Sequence, residues 1–376
     1  MTDRAQVYLV PGFFGFTALG SLNYFQGVRQ LLAERLAHYG MEVDLHEVET
    51  MPTGSIRTRA VRLLELIERT CPAGHSDIHL VGHSTGGLDA RLLATPGVKL
   101  LPGVREAAVG ERIRTVQTLS TPHFGTPLAN FFSTLQGRNI LYLLTMLATT
   151  VPGRYGIAAA AQLLAAVAWL DDFVGQRETF LDLLAERLLR ELSVDRGHEL
   201  WEFLHEVGQD QGAIIQLTPE SIDLFNAAVT DRAGVRYVSH VSAAPPPLHS
   251  LRLSDFDSLY TPLAMLVYAV VHRVAAQQNR SYPYPSPSEK LRLELAERLP
   301  IRVGPDTNDG IVPAFSQLWG EIGHVAYGDH LDVVGQYRRV YNGRAYPGWL
   351  KSGAQFNDAA GYSLWDTIAR VIATQS

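Results

Sequence analysis

The chain has 376 residues, of which 46% are hydrophobic and 19% are charged. This composition supplies enough apolar side chains for a large core and too little charge for a disordered chain. The net charge of -6, with no Arg/Lys cluster between aromatic residues, argues against nucleic acid as a partner. Cys71 is the only cysteine, which excludes an intrachain disulfide and a zinc site built from several thiolates.

The N-terminal end carries no apolar targeting segment. Met1 to Arg4 lead at once into an apolar stretch that is typical of a β-strand. We therefore expect a cytoplasmic location, or a secreted one if a leader has been removed. We expect one catalytic domain with insertions, because the motifs of a single site are spread over most of the chain.

The first half of the chain alternates between predicted strands and helices. Strands are predicted at Gln6 to Val10, Glu42 to Val48, Ile78 to Val81 and Ile113 to Leu119, and helices at Leu22 to Tyr39, Ser55 to Thr70 and Gly87 to Ala94. Such alternation is typical of βαβ units, because parallel strands need a crossover between them. The pattern predicts an α/β fold with a mostly parallel, buried central sheet flanked by helices.

One predicted strand runs directly into the pentapeptide Gly-His-Ser-Thr-Gly at 82–86, and a predicted helix follows. The pentapeptide alone is a weak signal, because an ordinary surface turn can contain it. A serine nucleophile needs a sharp strand-to-helix turn with small residues on both sides, where the backbone is strained. Gly82 and Gly86 meet that need, so Ser84 is the candidate nucleophile.

A nucleophilic serine needs a base and an orienting acid, which follow it in the order acid, then histidine, around this type of turn. Ile301 to Val303 is predicted as a strand, and the loop after it contains Asp306 and Asp309. Asp309 is the first candidate acid, and Asp306, which lies closer to the strand end, is its rival. Only His324 and His330 follow these acids. We prefer His330, because it lies in a loop from which an imidazole can reach the turn.

Attack by a serine also requires N–H donors that stabilise the oxyanion. The amide of Thr85, the residue after the nucleophile, is one expected donor. The first predicted strand leads into Pro-Gly-Phe-Phe-Gly-Phe at 11–16, whose glycines allow close backbone approach. Phe13 is therefore the expected second donor. An ordinary Pro-Gly turn would explain the dipeptide but not the aromatic residues beside it.

Four separated motifs together resemble those of the bacterial triacylglycerol lipases of the α/β-hydrolase superfamily. They are the 11–16 segment with Asn-Tyr-Phe-Gln-Gly-Val at 23–28, Gly-His-Ser-Thr-Gly-Gly at 82–87, Asn-Asp-Gly-Ile-Val at 308–312 and His-Leu-Asp-Val-Val-Gly-Gln at 330–336. The resemblance implies an α/β-hydrolase fold. It also implies Ser84, Asp309 and His330 as the triad, with the amides of Phe13 and Thr85 as the oxyanion hole.

Two features depart from that family pattern. Many of these lipases have His-Gly where this chain has Pro11-Gly12, and that histidine helps to hold the oxyanion loop. Asp332 and Gln336 match positions that bind calcium in many members, but the second carboxylate has no clear counterpart, with only Asp255 and Asp257 as guesses. Calcium prefers six to eight oxygen ligands. Asp332 is thus read either as a ligand of a structural calcium or as a residue that orders the loop carrying His330.

Residues 130–232 do not follow the alternation of strand and helix. Two apolar runs lie between 140 and 170, and each, at about 11 to 14 residues, is too short for a membrane span of about 20. Amphipathic helices are predicted at Gln176 to Leu192 and Gly197 to Val207, and Thr218-Pro219 begins another. We expect a helical cap, or lid, over Ser84. The catalytic core would then comprise 1–129 and 233–376, with a further insertion at about 245–300.

These features predict a lipase or carboxylesterase that cleaves esters of medium- to long-chain acyl groups through an acyl-enzyme, with no cofactor for the chemistry. The expected partner is a lipid or small ester, dissolved or at a lipid or polymer interface, and the oligomeric state is left open. A polyester depolymerase and an acyltransferase could use the same triad. A non-catalytic binding protein of the hydrolase fold is disfavoured, because no member of the triad is missing.

Overall fold

The chain is seen in a computed structural model, which describes residues 4–13, 18–19, 22–51, 53–71, 76–101, 106–133, 212–247, 260–278, 280–341, 344–348 and 350–375. Most of the expected cap, including the apolar runs at 140–170 and the helices predicted at 176–207, lies outside these ranges. So do Asp255 and Asp257.

Six parallel strands form the central sheet. They are β1 (Ala5–Val10), β2 (Val43–Glu47), β3 (Ile78–His83), β4 (Ile113–Leu119), β5 (Arg236–Ala243) and β6 (Glu321–Tyr327), in the spatial order β2-β1-β3-β4-β5-β6. All five neighbouring pairs are parallel. β1 and β3 are buried along their whole lengths. The α/β prediction with a buried parallel sheet is therefore confirmed.

Helices cover both faces of this sheet. They are α1 (Val28–His38), α2 (Ile56–Thr70), α3 (Thr85–Ala94), α4 (Glu106–Gly110), α5 (Pro127–Phe132), α6 (Gly212–Gln216), α7 (Pro219–Ala228), α8 (Tyr260–Ala275), α9 (Glu289–Arg298) and α10 (Asp358–Ala373). A small antiparallel pair, β7 (Arg338–Tyr341) and β8 (Arg344–Pro347), lies apart from the main sheet. Among the helices described, none combines the length and apolar character needed to span a lipid bilayer.

Alternate side chains of β1 enter two different cores. Val7 and Leu9 pack in the core under α1 and α10, where Trp365 is almost fully buried. Tyr8 and Val10 pack in the core under α2 and α3. Because successive strand residues point to opposite faces, one strand is held by both helical layers. The carboxyl ends of the parallel strands are thereby held at one edge of the sheet, where sites in such folds lie.

The predicted helix starts at polar capping residues are confirmed. The Ser55 side chain accepts a hydrogen bond from the amide of Thr58 at the start of α2. Thr218 caps α7 in the same way, and Pro219 is its first helical residue. The helix predicted from Leu22 begins later, at Val28, because a two-residue strand and the left-handed Gly27 (φ 71) precede it.

The strand predicted at Ile301 to Val303 is wrong. These residues form a loop, and the position beside β5 is occupied by β6. The Ile301 and Val303 side chains pack, partly buried, against a core that contains Phe315. Ile301 and Val303 are apolar because they pack against this core from a loop. Apolar residues at every second position are also typical of a strand, so the sequence pattern was misleading here.

Burial lowers the pKa of His79 on β3 to about 4. The unfolded chain takes up a proton at this residue near pH 6.5, whereas the folded chain does so only near its lowered pKa. Stability is therefore lost as pH falls through this window. In His79→Gln this proton uptake is absent. We compare the free energy of unfolding of the variant with that of the wild type, measured with denaturant. Between pH 8 and pH 4 this difference should shift in favour of the variant by up to about 3 kcal/mol.

The matched control is His38→Gln, because His38 is exposed in the last turn of α1. This variant measures the effect of removing an exposed histidine, to which the argument from burial does not apply. A His79→Gln difference that is independent of pH would contradict the argument from burial.

Candidate active site

Ser84 is the single residue between the end of β3 and the start of α3. Its backbone has φ 53 and ψ -127, an unfavourable conformation for a residue with a side chain. Its N–H donates to the carbonyl of Leu119 at the end of β4 (2.8 Å), and its carbonyl accepts from the N–H of Gly87 (3.1 Å). The strand, turn and helix that the sequence predicts around this serine are all present.

Two glycines permit the turn. A Cβ at Gly82 would collide with the backbone of Gly86, and a Cβ at Gly86 would collide with the carbonyl of Val10 at the end of β1. The end of β3, the start of α3 and the end of β1 therefore approach more closely than any side chain would allow. This close packing holds the strained backbone of Ser84.

Asp309 and His330 form a buried hydrogen-bonded pair. His330 Nδ1 lies 2.8 Å from Asp309 Oδ2, and the His330 backbone N–H donates to the Asp309 carbonyl (2.9 Å). A carboxylate accepts, so the ring proton of a neutral His330 is on Nδ1 and its Nε2 is the basic nitrogen. Asp309 has no exposed surface and His330 is 5% exposed.

The Asp309 carboxylate is fixed by four further donors. They are the amides of Ile311 (2.9 Å) and Val312 (2.7 Å) on Oδ1, and Ser242 Oγ (2.8 Å) and Gln317 Nε2 (3.2 Å) on Oδ2. Sequence analysis did not identify Ser242 or Gln317. Neither belongs to a motif, and Ser242 is distinguished only by its position near the end of β5.

The rival acid and the rival base are not in this pair. His324 lies within β6, and burial lowers its pKa to about 4. The backbone carbonyl of Asp306 accepts from Asn308 Nδ2 (2.9 Å) in the loop before Asp309. Of the two candidates in each role, the structure pairs Asp309 with His330.

The segment predicted to form the oxyanion hole passes directly over the turn. A Cβ at Gly12 would lie 2.5 Å from the Cβ of Ser84. Phe13 follows it and is partly buried, while 14–17 lie outside the described residues. Thr85 is the first residue of α3, a position whose amide has no partner within the helix. Thr85 thus follows Ser84 in the chain, and Phe13 follows a glycine that packs against Ser84.

Side chains from elsewhere in the chain hold the loop at Pro11 and Gly12. The Pro11 carbonyl accepts from Nη2 of Arg59, and the Gly12 N–H donates to the Tyr24 hydroxyl (2.8 Å). Arg59 is fully buried and pairs with Asp89 (2.9 Å). Burial raises the pKa of Asp89 to about 7, although Arg59 opposes that rise. Sequence analysis missed all three supporting side chains, and Tyr24 alone lay within a motif.

Asp332 is buried in a short 3-10 helix, Asp332–Val334, just after His330. Its Oδ2 accepts from the amide of Asp329 (2.9 Å), whose carboxylate accepts in turn from the amides of Leu331 (3.0 Å) and Asp332 (3.1 Å) and from Ser352 Oγ (2.8 Å). Burial raises the pKa of both acids. In the described ranges no three acidic, histidine or cysteine side chains could hold a metal. The described contacts of Asp332 therefore order the loop of His330.

The chain resembles two curated proteins over part of its length. It is 30% identical over 164 residues to a triacylglycerol lipase of Pseudomonas fragi, covering 43% of this chain and 45% of that protein. It is 31% identical over 121 residues to a triacylglycerol lipase of Vibrio cholerae serotype O1, covering 30% of this chain and 37% of that protein. The chain thus aligns with less than half the length of these relatives. No protein-family model matches it.

The structural likeness extends over the whole chain. Lipase 1 from Pelosinus fermentans matches it with a TM-score of 0.55 at 17% identity, covering 100% of both chains. The chain has the α/β-hydrolase fold. In an α/β-hydrolase the nucleophile occupies the turn after a central strand, and the acid and histidine follow it in the sequence. The fold implied by the four motifs is therefore confirmed.

The packing of Gly86 can be tested by stability. In Gly86→Ala the new methyl group would meet the backbone of Val10, which cannot move without displacing β1. We expect a loss of about 2 to 3 kcal/mol in the free energy of unfolding, measured with denaturant. Gly361→Ala in α10 is the matched control, because its methyl group would meet side-chain atoms and no backbone: the Tyr337 hydroxyl at 3.2 Å and ring carbons of Phe356 and Tyr337 at 3.6 Å. A loss below about 1 kcal/mol in Gly86→Ala would show that the turn tolerates a side chain.

Proposed function

We propose that the protein hydrolyses carboxylic esters with medium- or long-chain acyl groups, and that Ser84, His330 and Asp309 form its catalytic triad. The observation that carries the proposal is the buried hydrogen bond of 2.8 Å between Asp309 and His330. It occurs in an α/β-hydrolase whose strand-to-helix turn is occupied by a strained serine. In this fold the nucleophile, the acid and the histidine follow one another along the chain in this order.

In the proposed reaction the Ser84 hydroxyl attacks the ester carbonyl while His330 Nε2 takes its proton. The amides of Phe13 and Thr85 stabilise the negative charge on the carbonyl oxygen. The intermediate collapses to an acyl-enzyme, and His330 returns the proton to the leaving alcohol. Water then attacks the acyl group while His330 takes one of its protons, and His330 returns that proton to the Ser84 oxygen as the bond to the acyl group breaks and the free acid leaves. No cofactor takes part.

Asp309 has the role of orienting His330. Its carboxylate accepts a hydrogen bond from the Nδ1–H of His330 and is itself held by the amides of Ile311 and Val312. A fixed carboxylate keeps the imidazole in the tautomer whose Nε2 can act as a base, and it stabilises the imidazolium formed during attack. The donors from Ser242 and Gln317 prevent the carboxylate from turning away.

The preference for longer acyl chains rests on the expected helical cap at 130–232 and on the relatives named triacylglycerol lipase. The described end of that segment packs on the helix that follows the serine. Leu217 and Ile222 lie in one core cluster with Leu88 of α3. A cap anchored there would cover the mouth of the site, and its apolar inner face would bind an acyl chain.

Removal of the nucleophile tests the triad. We expect Ser84→Ala to lower ester turnover by a factor of about 10^4 or more. Alanine has no hydroxyl, so no acyl-enzyme can form and the base has no serine proton to take. The assay is hydrolysis of p-nitrophenyl esters, together with labelling by a fluorophosphonate, which should modify the wild type and not the variant. Ser363→Ala, at an exposed position in α10, is the control and should leave both readouts unchanged.

A wild-type protein that hydrolyses no ester and takes no label would favour a non-catalytic binding protein. A Ser84→Ala protein that keeps its rate would refute the triad directly.

Acyl-chain preference tests the substrate class. Each additional buried methylene contributes about 0.8 kcal/mol, so kcat/KM should rise from acetate to octanoate esters of p-nitrophenol. If the cap opens at an interface, the rate on tributyrin should rise once its concentration passes the solubility limit. A preference for acetate, with equal specific activity on dissolved and emulsified ester, would contradict both expectations.

A further inference from the structure

Two buried side chains that the proposed reaction does not use connect the oxyanion loop to the base. The Gly12 N–H donates to the Tyr24 hydroxyl (2.8 Å), which lies 2.6 Å from His83 Nδ1. His83 Nε2 lies 2.8 Å from the backbone carbonyl oxygen of His330. Every residue of this chain of hydrogen bonds is buried.

The direction of each hydrogen bond follows from the groups involved. A carbonyl oxygen only accepts, so His83 Nε2 carries a proton and donates a hydrogen bond to the His330 carbonyl. Burial, reinforced by the nearby His330, lowers the pKa of His83 far below its usual value, and the ring is therefore neutral. Nδ1 of a neutral ring protonated at Nε2 can only accept. The Tyr24 hydroxyl must therefore donate to His83 while it accepts from Gly12.

The same residues lie against all three parts of the proposed site. His83 precedes Ser84 in the chain, and its ring centroid lies 4.6 Å from that of His330. Gly12 packs on the Cβ of Ser84, so a shift of the loop would displace the nucleophile. His330 is held through its side chain and its N–H by Asp309, and through its carbonyl by His83.

We infer that Tyr24 and His83 are positioning residues, which couple the N–H donors of the oxyanion loop to the backbone of the general base. This inference rests on the proposed function. Pro11 has no N–H to donate. The loop is held by two other hydrogen bonds, one from Arg59 to the Pro11 carbonyl and one from the Gly12 N–H to the Tyr24 hydroxyl.

Tyr24→Phe tests the coupling. It removes the acceptor for Gly12 and the donor for His83 without changing the ring. We expect kcat, counted per site titrated by fluorophosphonate, to fall about 10- to 100-fold, with KM changed less than about threefold, because the hydroxyl acts on transition-state geometry. A kcat within twofold of the wild type would overturn the inference.

Tyr8→Phe is the matched control. Tyr8 is a buried tyrosine of β1 whose hydroxyl bonds Thr70 Oγ1 (2.7 Å) in the other core. Its loss removes a comparable hydrogen bond from a residue outside the site, and kcat should remain at the wild-type value. An equal fall in kcat in both variants would assign the effect of Tyr24 to general stability.

A double-mutant cycle tests whether the two residues act together. His83→Gln keeps a side-chain donor for the His330 carbonyl but alters the contact with Tyr24. If the coupling is real, the double variant Tyr24→Phe/His83→Gln should be no slower than the slower single variant. If the loss of kcat in the double variant equals the product of the two single losses, the residues act independently, and the inference is wrong.

The tautomer of His83 can be read in the wild-type protein if the variants fail to fold. Nitrogen NMR of histidine-labelled protein should show His83 neutral and protonated at Nε2 between about pH 5 and 9. Protonation at Nδ1, or a charged ring, would overturn the inference. A wild type that is inactive and takes no label would refute the proposed function. An active wild type whose kcat is unchanged in Tyr24→Phe would refute only the coupling.

Discussion

The close approach of three backbone segments at Ser84 is the constraint on which the rest of the site depends. The end of β1, the turn after β3 and the start of α3 meet where Gly12, Gly82 and Gly86 leave no room for a Cβ. The cores on the two faces of the sheet supply the free energy that keeps these segments together. The strained backbone of Ser84 persists because its surroundings allow no alternative.

Buried polar groups then determine how the segments are oriented. Arg59, paired with Asp89, binds the Pro11 carbonyl of the loop before Phe13, and Tyr24 binds the Gly12 amide. Such groups are costly to bury unless each has its partner, so they tolerate few other arrangements. They contribute to the accuracy of the site more than to its stability, since accurate placement is what an oxyanion hole requires.

Particular residues show where sequence reasoning succeeds. The Ile113–Leu119 strand and the helix predicted from Ser55 to Thr70 were predictable because their signals are local. Ser84 was predictable because the chemistry of a nucleophile constrains the five residues around it. The strand predicted at Ile301 to Val303 was wrong, because an apolar alternation does not tell whether its partner is a strand or a core side chain.

The sequence by itself determined the α/β class, the candidate nucleophile and the short sets from which acid and base were drawn, because these depend on periodicity and on motifs within a few residues. Only the tertiary structure decided that Asp309, not Asp306, bonds His330, and that His83 and Tyr24 join the base to the oxyanion loop. Those contacts connect residues that are distant along the chain. Their geometry arises from the packing of the whole sheet, which no local pattern encodes.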